Sequence, residues 1–69
     1  MSIHVLTAGD FPKIAKIKKE FNVFRVLHIK KGNLKIVEFF NEDGAFRGFG
    51  RNTKAAYKKA KKVLKKHYK

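Results

Sequence analysis

Residues 48–69 read GFGRNTKAAYKKAKKVLKKHYK, and the helix that this stretch predicts determines what the rest of the chain has to pack against. At helical spacing it separates into an apolar face and a basic face. The apolar face consists of Ala56, Ala60, Val63, Leu64 and His67. The basic face consists of Lys54, Lys58, Lys61, Lys62, Lys65 and Lys69. The pattern predicts an amphipathic helix that packs its narrow apolar side on a sheet.

The residues before this helix mark where it begins. Gly48 and Gly50 permit a close or left-handed backbone approach, and Asn52 or Thr53 can accept a hydrogen bond from the first free helical amides. Basic residues occur at this end, although the positive end of the helix dipole favours acids. We therefore expect an external anion, most simply a phosphate, that the lysines and free amides bind together.

The chain as a whole is strongly basic. Its 69 residues contain 18 Lys and Arg against 5 Asp and Glu, a formal net charge of +13, and no acid follows Asp43. This excess repels itself in the compact state, so we expect a polyanionic partner. We predict that this partner is a nucleic acid, duplex RNA or DNA, bound with low sequence specificity. The alternative is a protein-interaction module, an inhibitor or adaptor that docks on an acidic protein or a ribonucleoprotein through the open face of its sheet.

The candidate nucleic-acid contacts are basic residues at and after the start of the helix. A lysine-rich helix face is ordinarily only solvated surface, but here no acid between residues 44 and 69 compensates it. This absence favours a phosphate-binding surface over a merely solvated one. The predicted binding residues are Arg51, Lys54, Lys58, Lys59, Lys61, Lys62 and Lys65.

Length and composition predict one small domain, residues 1–69, in an intracellular, cytoplasmic protein. The chain has no cysteine, and its nine aromatic residues must supply much of a thin core. No stretch approaches the roughly 20 apolar residues of a membrane span, and no basic region followed by an apolar signal core begins the chain. A membrane-surface helix is a weaker interpretation, because the apolar face of the C-terminal helix is narrow.

The chain offers little for catalysis or metal binding. His4, His28 and His67 lack metal-ligand spacing and have no thiol companions. The five acidic residues are scattered, so they do not form the carboxylate cluster that a metal-dependent nuclease needs. We expect neither an enzyme nor a bound cofactor or metal.

The N-terminal half predicts one further helix. Asp10 is a suitable N-cap ahead of Pro12, and apolar residues then recur at three and four up to Phe21, which predicts about three helical turns. Before this helix, residues 2–7 fit either a weak strand or an ordered tail.

Three short β-rich segments follow, at residues 22–30, 34–41 and 45–50, separated by turn signals around Gly32 and Gly44. They predict a three-stranded antiparallel sheet with a helix before and after it, an α+β fold of order α-β-β-β-α. If the second strand is regular, the adjacent Phe39 and Phe40 point to opposite faces. One of them then lies on the face away from the helices.

From residue 34 onward the chain resembles the double-stranded RNA-binding domain family, whose third strand, glycine turn and basic helix read G-x-G-x-S-K-K-x-A. The glycines and packing alanines are matched by Gly48, Gly50, Ala56 and Ala60. Asn52 stands where the serine is usual, Thr53 replaces the first lysine, and Lys54 matches the second. Roughly the last half of the chain is covered.

This resemblance implies a role for the start of the C-terminal helix. In the family, that helix start grips phosphates across the major groove, so the resemblance implies the same for Lys54, with Arg51, Lys58 and Lys59 as basic neighbours. The family also carries a long loop between its first two strands. Here residues 30–33 form only a short turn.

Three strands followed by a helix that opens in T-K-x-A also resemble the arm-binding domains of tyrosine-family integrases and the plant ethylene-response DNA-binding domains. Those domains lay their sheet in a DNA major groove. The resemblance implies that Arg25, Lys35 and Arg47, one on each strand, contact bases and phosphates.

Overall fold

A computed structural model of the chain describes residues 2–69, which form a four-stranded antiparallel sheet and two helices. The strands lie in chain order across the sheet. The elements are β1 (Ser2–Val5), α1 (Lys13–Phe21), β2 (Arg25–Lys31), β3 (Leu34–Asn41), β4 (Gly44–Gly50) and α2 (Thr53–His67). The α+β class and the meander between two helices are confirmed. The sheet has four strands rather than three, and the order is β-α-β-β-β-α.

The additional strand is β1, which pairs with β2 along its full length. Its register runs from Ser2 opposite Lys30 to Val5 opposite Leu27. The Leu6 amide continues the ladder by donating to the Val26 carbonyl at 2.8 Å, and the Leu6 side chain enters the core. The N-terminal residues are therefore an edge strand anchored by Leu6.

Both hairpins close through two-residue connections. Lys31 pairs with Leu34 across Gly32 and Asn33, and Asn41 pairs with Gly44. Gly32 has a φ of 61°, which a residue with a side chain adopts only under strain. A glycine with positive φ at the first turn position matches the twist of the flanking strands.

The core lies between the sheet and the helices. Phe39 is fully buried and Phe40 is half-buried on the opposite face, as the strand alternation predicts. The buried apolar residues are Leu6, Ile14, Ile17, Val23, Val26, Val37, Phe39, Phe46, Ala56, Tyr57, Ala60 and Leu64. Both helices pack on one face of the sheet, and the other face stays open.

The first helix is confirmed, but its predicted cap is wrong. Its N-cap position is Pro12, without a side-chain hydrogen bond. The Asp10 carboxylate instead accepts from the Thr7 amide at 3.0 Å and from the Thr7 hydroxyl at 3.3 Å. The Thr7 carbonyl in turn accepts hydrogen bonds from the amides of Asp10 and Phe11. Asp10 and Thr7 therefore close the turn that precedes the helix.

The second helix lies directly on β4. A Cβ atom at Gly48 would lie 2.1 Å from the Ala60 nitrogen and 2.5 Å from the Ala56 carbonyl oxygen, so only glycine fits there. Both alanines are fully buried. The packing face differs from the predicted one at three positions: Val63, 45 % exposed, and His67 lie at the surface, whereas Tyr57 is buried.

The ends of both helices meet at the buried Asn41. Its Nδ2 donates to the Phe21 carbonyl at 3.0 Å and to the Tyr68 hydroxyl oxygen at 2.8 Å. Its Oδ1 accepts from the Asp43 amide at 2.8 Å, and the Tyr68 hydroxyl donates to the Asp43 carboxylate. One side chain thus joins α1, the β3–β4 turn and the C-terminus of α2.

Candidate nucleic-acid interface

The outer surface of α2 carries the predicted binding residues. The helix begins as expected, with the Asn52 side chain accepting from the Ala55 amide at 2.8 Å. The exposed cations are Arg51, Lys54, Lys58, Lys59, Lys62 and Lys65, and Lys61 is half-buried. Because α2 buries only Ala56, Tyr57, Ala60 and Leu64, these cations are left on the solvent side. We call the surface formed by these seven residues the basic surface.

The first helix extends the basic surface. A shallow cleft between α1 and α2 is lined by Lys13 and Lys16 from one helix and by Lys61 and Lys65 from the other. Glu20 is the single acid among its lining residues. Sequence reasoning did not include Lys13 and Lys16 in the site. Their helical periodicity places them on the outer side of α1, but only the tertiary structure brings that side next to α2.

Partial burial and the crowding of positive charge in this cleft lower the pKa of Lys61. Its ammonium nitrogen lies 5.6 Å from the centre of the Tyr57 ring, within the range of a cation–π contact. Partial burial lowers the pKa of Lys61, and the charges of Lys65, Lys13 and Lys58 lower it further. An anion in the cleft would counteract this lowering of the pKa, because its negative charge favours the protonated ammonium groups.

The protein's own acids do not neutralise the basic surface. Within residues 2–69, the one ion pair closer than 4.0 Å joins Arg47 to Glu38 at 3.2 Å, on the sheet. Glu42 and Asp43 lie elsewhere, beside Tyr68, and Glu20 borders both that depression and the cleft between the helices without forming an ion pair. The lysines of α2 therefore keep their charges free for an external partner.

The predicted residues do not all share one location. Arg51 and Lys59 line a depression beside β4 together with Asn33, Leu34 and Phe49. Lys59 also borders the outer face of α2, which is lined by Lys58, Lys61, Lys62 and Lys65. Lys59 therefore borders both the depression beside β4 and the outer face of α2. Arg51 borders only the depression, at the edge of the basic surface.

The start of α2 is tied to the sheet through a histidine. The Thr53 hydroxyl and the Nε2 atom of the buried His28 are hydrogen-bonded at 3.0 Å. Burial lowers the pKa of His28, and the neighbouring Lys30, His4 and Lys35 lower it further, so the ring is neutral near pH 7. His28 therefore positions the helix and does not add to its charge.

The basic set implied by the integrase-like resemblance is not on one surface. Strand alternation places Arg25 and Arg47 on the open face of the sheet, whereas Lys35 lies in register with Lys30 and Gly50 on the side of the helices. Arg47 is also bonded to Glu38. These three residues cannot enter a groove together, so that expectation is wrong.

Further features of residues 2–69 bear on other classes of function. Neither helix is both long and apolar enough to span a bilayer, and the described His, Asp and Glu residues form no group of three that could hold a metal ion. The chain matches no family model, no curated protein and no solved structure. Its function therefore has to be inferred from its own residues.

Proposed function

We propose that this protein is a small nucleic-acid-binding protein that holds a duplex phosphate backbone against the basic surface. The observation that carries the proposal is that none of these lysines is paired with a carboxylate within residues 2–69. A chain of net charge +13 that leaves the lysines of this surface unpaired gains free energy by releasing counterions from a polyanion.

The dimensions of the basic surface suit a duplex. Eleven residues separate Lys54 from Lys65, which corresponds to about 16 Å along a helix. A double helix presents roughly ten phosphate charges over that length. Lysine is a flexible point charge without the planar fork that reads base edges, so we expect phosphate contacts and little sequence preference.

Within this class, we propose that the mode of binding is similar to that of double-stranded RNA-binding domains. The order α1–β2–β3–β4–α2 and the close packing of Gly48 on Ala56 and Ala60 support this proposal. The two-residue β2–β3 connection provides no long loop for a second groove. Affinity should therefore come mainly from the helical surface, with modest discrimination between duplex RNA and duplex DNA.

A salt titration of binding tests the proposal. If about six lysines contact phosphates, the logarithm of the association constant for duplex DNA should fall with the logarithm of salt concentration at a slope of roughly −5. In the double variant Lys58→Glu with Lys62→Glu, the slope should become shallower by about two. Both side chains are exposed, so the fold should persist.

The matched control is Arg25→Glu with Lys31→Glu, which makes the same change in net charge on exposed residues of β2. It should change the slope much less, because these residues lie on the open face. An equal effect of both double variants would mean that only net charge matters, and a flat salt response would refute the proposal. Competition among duplex RNA, duplex DNA and single strands of equal length then identifies the preferred polymer.

A further inference from the structure

The open face of the sheet is unusually apolar for a surface that no helix covers. Register places Ile3, Ile29, Ile36 and Phe49 side by side across all four strands, and we call these four residues the apolar row. Ile3 and Phe49, at its two ends, are 54 % and 45 % exposed. The neighbouring residues Val5 (60 % exposed), Leu27, Leu34 and Phe40 extend this patch.

Few charged groups on this face would lose solvent without an ionic partner if another surface covered it. Glu38 and Arg47 face each other across β3 and β4 and are bonded at 3.2 Å, and the Glu38 residue is only 6 % exposed. The remaining cations of β2 on this face are Arg25 and Lys31, at opposite ends of the strand. The centre of the face is therefore apolar or internally neutralised, and its free charges lie at the rim.

We propose that the open face is a self-association surface, on which two copies of this chain pack sheet to sheet as a weak dimer. Strands of 4, 7, 8 and 7 residues, spaced about 4.8 Å apart, cover roughly 400 Å². Two such faces in contact bury roughly 800 Å², which is below the about 1,000 Å² of a stable specific interface and corresponds to a weak one. A second copy supplies an apolar face of the same size and composition.

The strong positive charge does not prevent this arrangement. The lysine-rich helices lie on the other side of each sheet, so about three layer spacings of roughly 10 Å separate the lysines on the outer faces of the two copies of α2. Arg51 and Lys59, which share a depression with Leu34 and Phe49, lie at the rim of the contact. The Debye length is about 8 Å at physiological ionic strength, so the repulsion between the outer lysines of the two copies is largely screened. Association should consequently strengthen as salt is raised, in contrast to nucleic-acid binding.

Sedimentation equilibrium without nucleic acid tests the dimer independently of the proposed function. Over about 5–500 µM protein in 0.15 M salt, the mass should rise from 8.0 kDa toward twice that value, as expected for a small interface. Phe49→Lys should keep the protein monomeric throughout. Ile3→Lys, at the other edge of the sheet, should do the same and guards against a folding defect of the first variant.

Val63→Lys is the matched control, because Val63 on α2 is also 45 % exposed and the substitution adds the same charge. It should dimerise like the unmodified chain. A mass of 8.0 kDa at every concentration would overturn the proposal and leave the face to a different partner. Equal loss of association in Val63→Lys and Phe49→Lys would also overturn it, since the open face would then have no special role.

Discussion

Tyr57 shows how a single residue can carry an energetic cost within an otherwise apolar core. Its ring is only 5 % exposed and stacks on Phe11, with centroids 4.3 Å apart and planes within 7°. Its hydroxyl has no hydrogen-bond partner within residues 2–69, and burial raises the pKa of this group. A buried polar atom without a partner costs about 1–3 kcal/mol.

We expect Tyr57→Phe to raise the free energy of unfolding by about 1 kcal/mol, because it removes the hydroxyl and keeps the stacked ring. For a domain of this size, that corresponds to an increase of about 4–8 °C in the melting temperature. The matched variant is Tyr68→Phe, which should destabilise, since the Tyr68 hydroxyl bonds both Asn41 and Asp43. Thermal unfolding followed by circular dichroism distinguishes the two. A loss of stability in Tyr57→Phe would show that its hydroxyl makes a bond the protein needs.

At the scale of elements, the contact between β4 and α2 determines how closely the helix approaches the sheet. Gly48 and Gly50 leave no side chain between the strand and the helix backbone, and Ala56 and Ala60 add only methyl groups. This close approach lets the longer side chains of Tyr57 and Leu64 reach the core. It also orients the opposite side of the helix, with its lysines, toward solvent.

We expect Gly48→Ala to lower the free energy of unfolding by about 3 kcal/mol or more, because overpacking against the helix backbone cannot be relieved by a change of rotamer. The control is Gly9→Ala, whose added methyl would meet only the Thr7 hydroxyl at 3.4 Å and should change stability by less than about 0.5 kcal/mol. Urea unfolding measures both variants. Equal stability of the two would mean that α2 packs farther from β4 than the structure shows.

At the scale of the whole molecule, charge is segregated. Lysines of α1 and α2 line one cleft, in which Glu20 is the single acid, while Glu42 and Asp43 lie beside Tyr68 at the ends of the helices. The segregation keeps opposite charges from cancelling, so the molecule retains both its attraction for polyanions and its internal repulsion. Stability and binding should therefore respond to Lys61 in opposite directions.

We expect Lys61→Gln to stabilise the protein at low salt by up to about 1 kcal/mol, because it relieves partial burial of an ammonium group and its repulsion from Lys13, Lys58 and Lys65. The same variant should bind duplex DNA more weakly. Melting temperatures at low and high salt, with and without duplex DNA, measure both effects. Destabilisation at low salt would mean that the contact of Lys61 with the Tyr57 ring outweighs the repulsion.

Much of the fold could be predicted because its signals are local. Glycines and a two-residue turn specify the β2–β3 hairpin, and Asn52 caps α2 where the sequence indicates. The cap of α1 was mispredicted because Asp10 is equally suited to close the preceding turn. Val63 and His67 are exposed, contrary to the predicted apolar face, and Tyr57 is buried, because helical periodicity gives the direction of a face, but not its width or the shape of the sheet beneath it.

The sequence by itself determined that the chain is strongly basic, that its C-terminal helix is amphipathic and that its strands form a meander, because charge, periodicity and turn chemistry are properties of neighbouring residues. Only the tertiary structure decided that Lys13 and Lys16 lie beside Lys61, and that Arg25 and Lys35 lie on opposite sides of the sheet. It also assembled the apolar row from residues of four separate strands. These features depend on strand register and on the docking of helices, which arise from contacts between residues far apart in the chain.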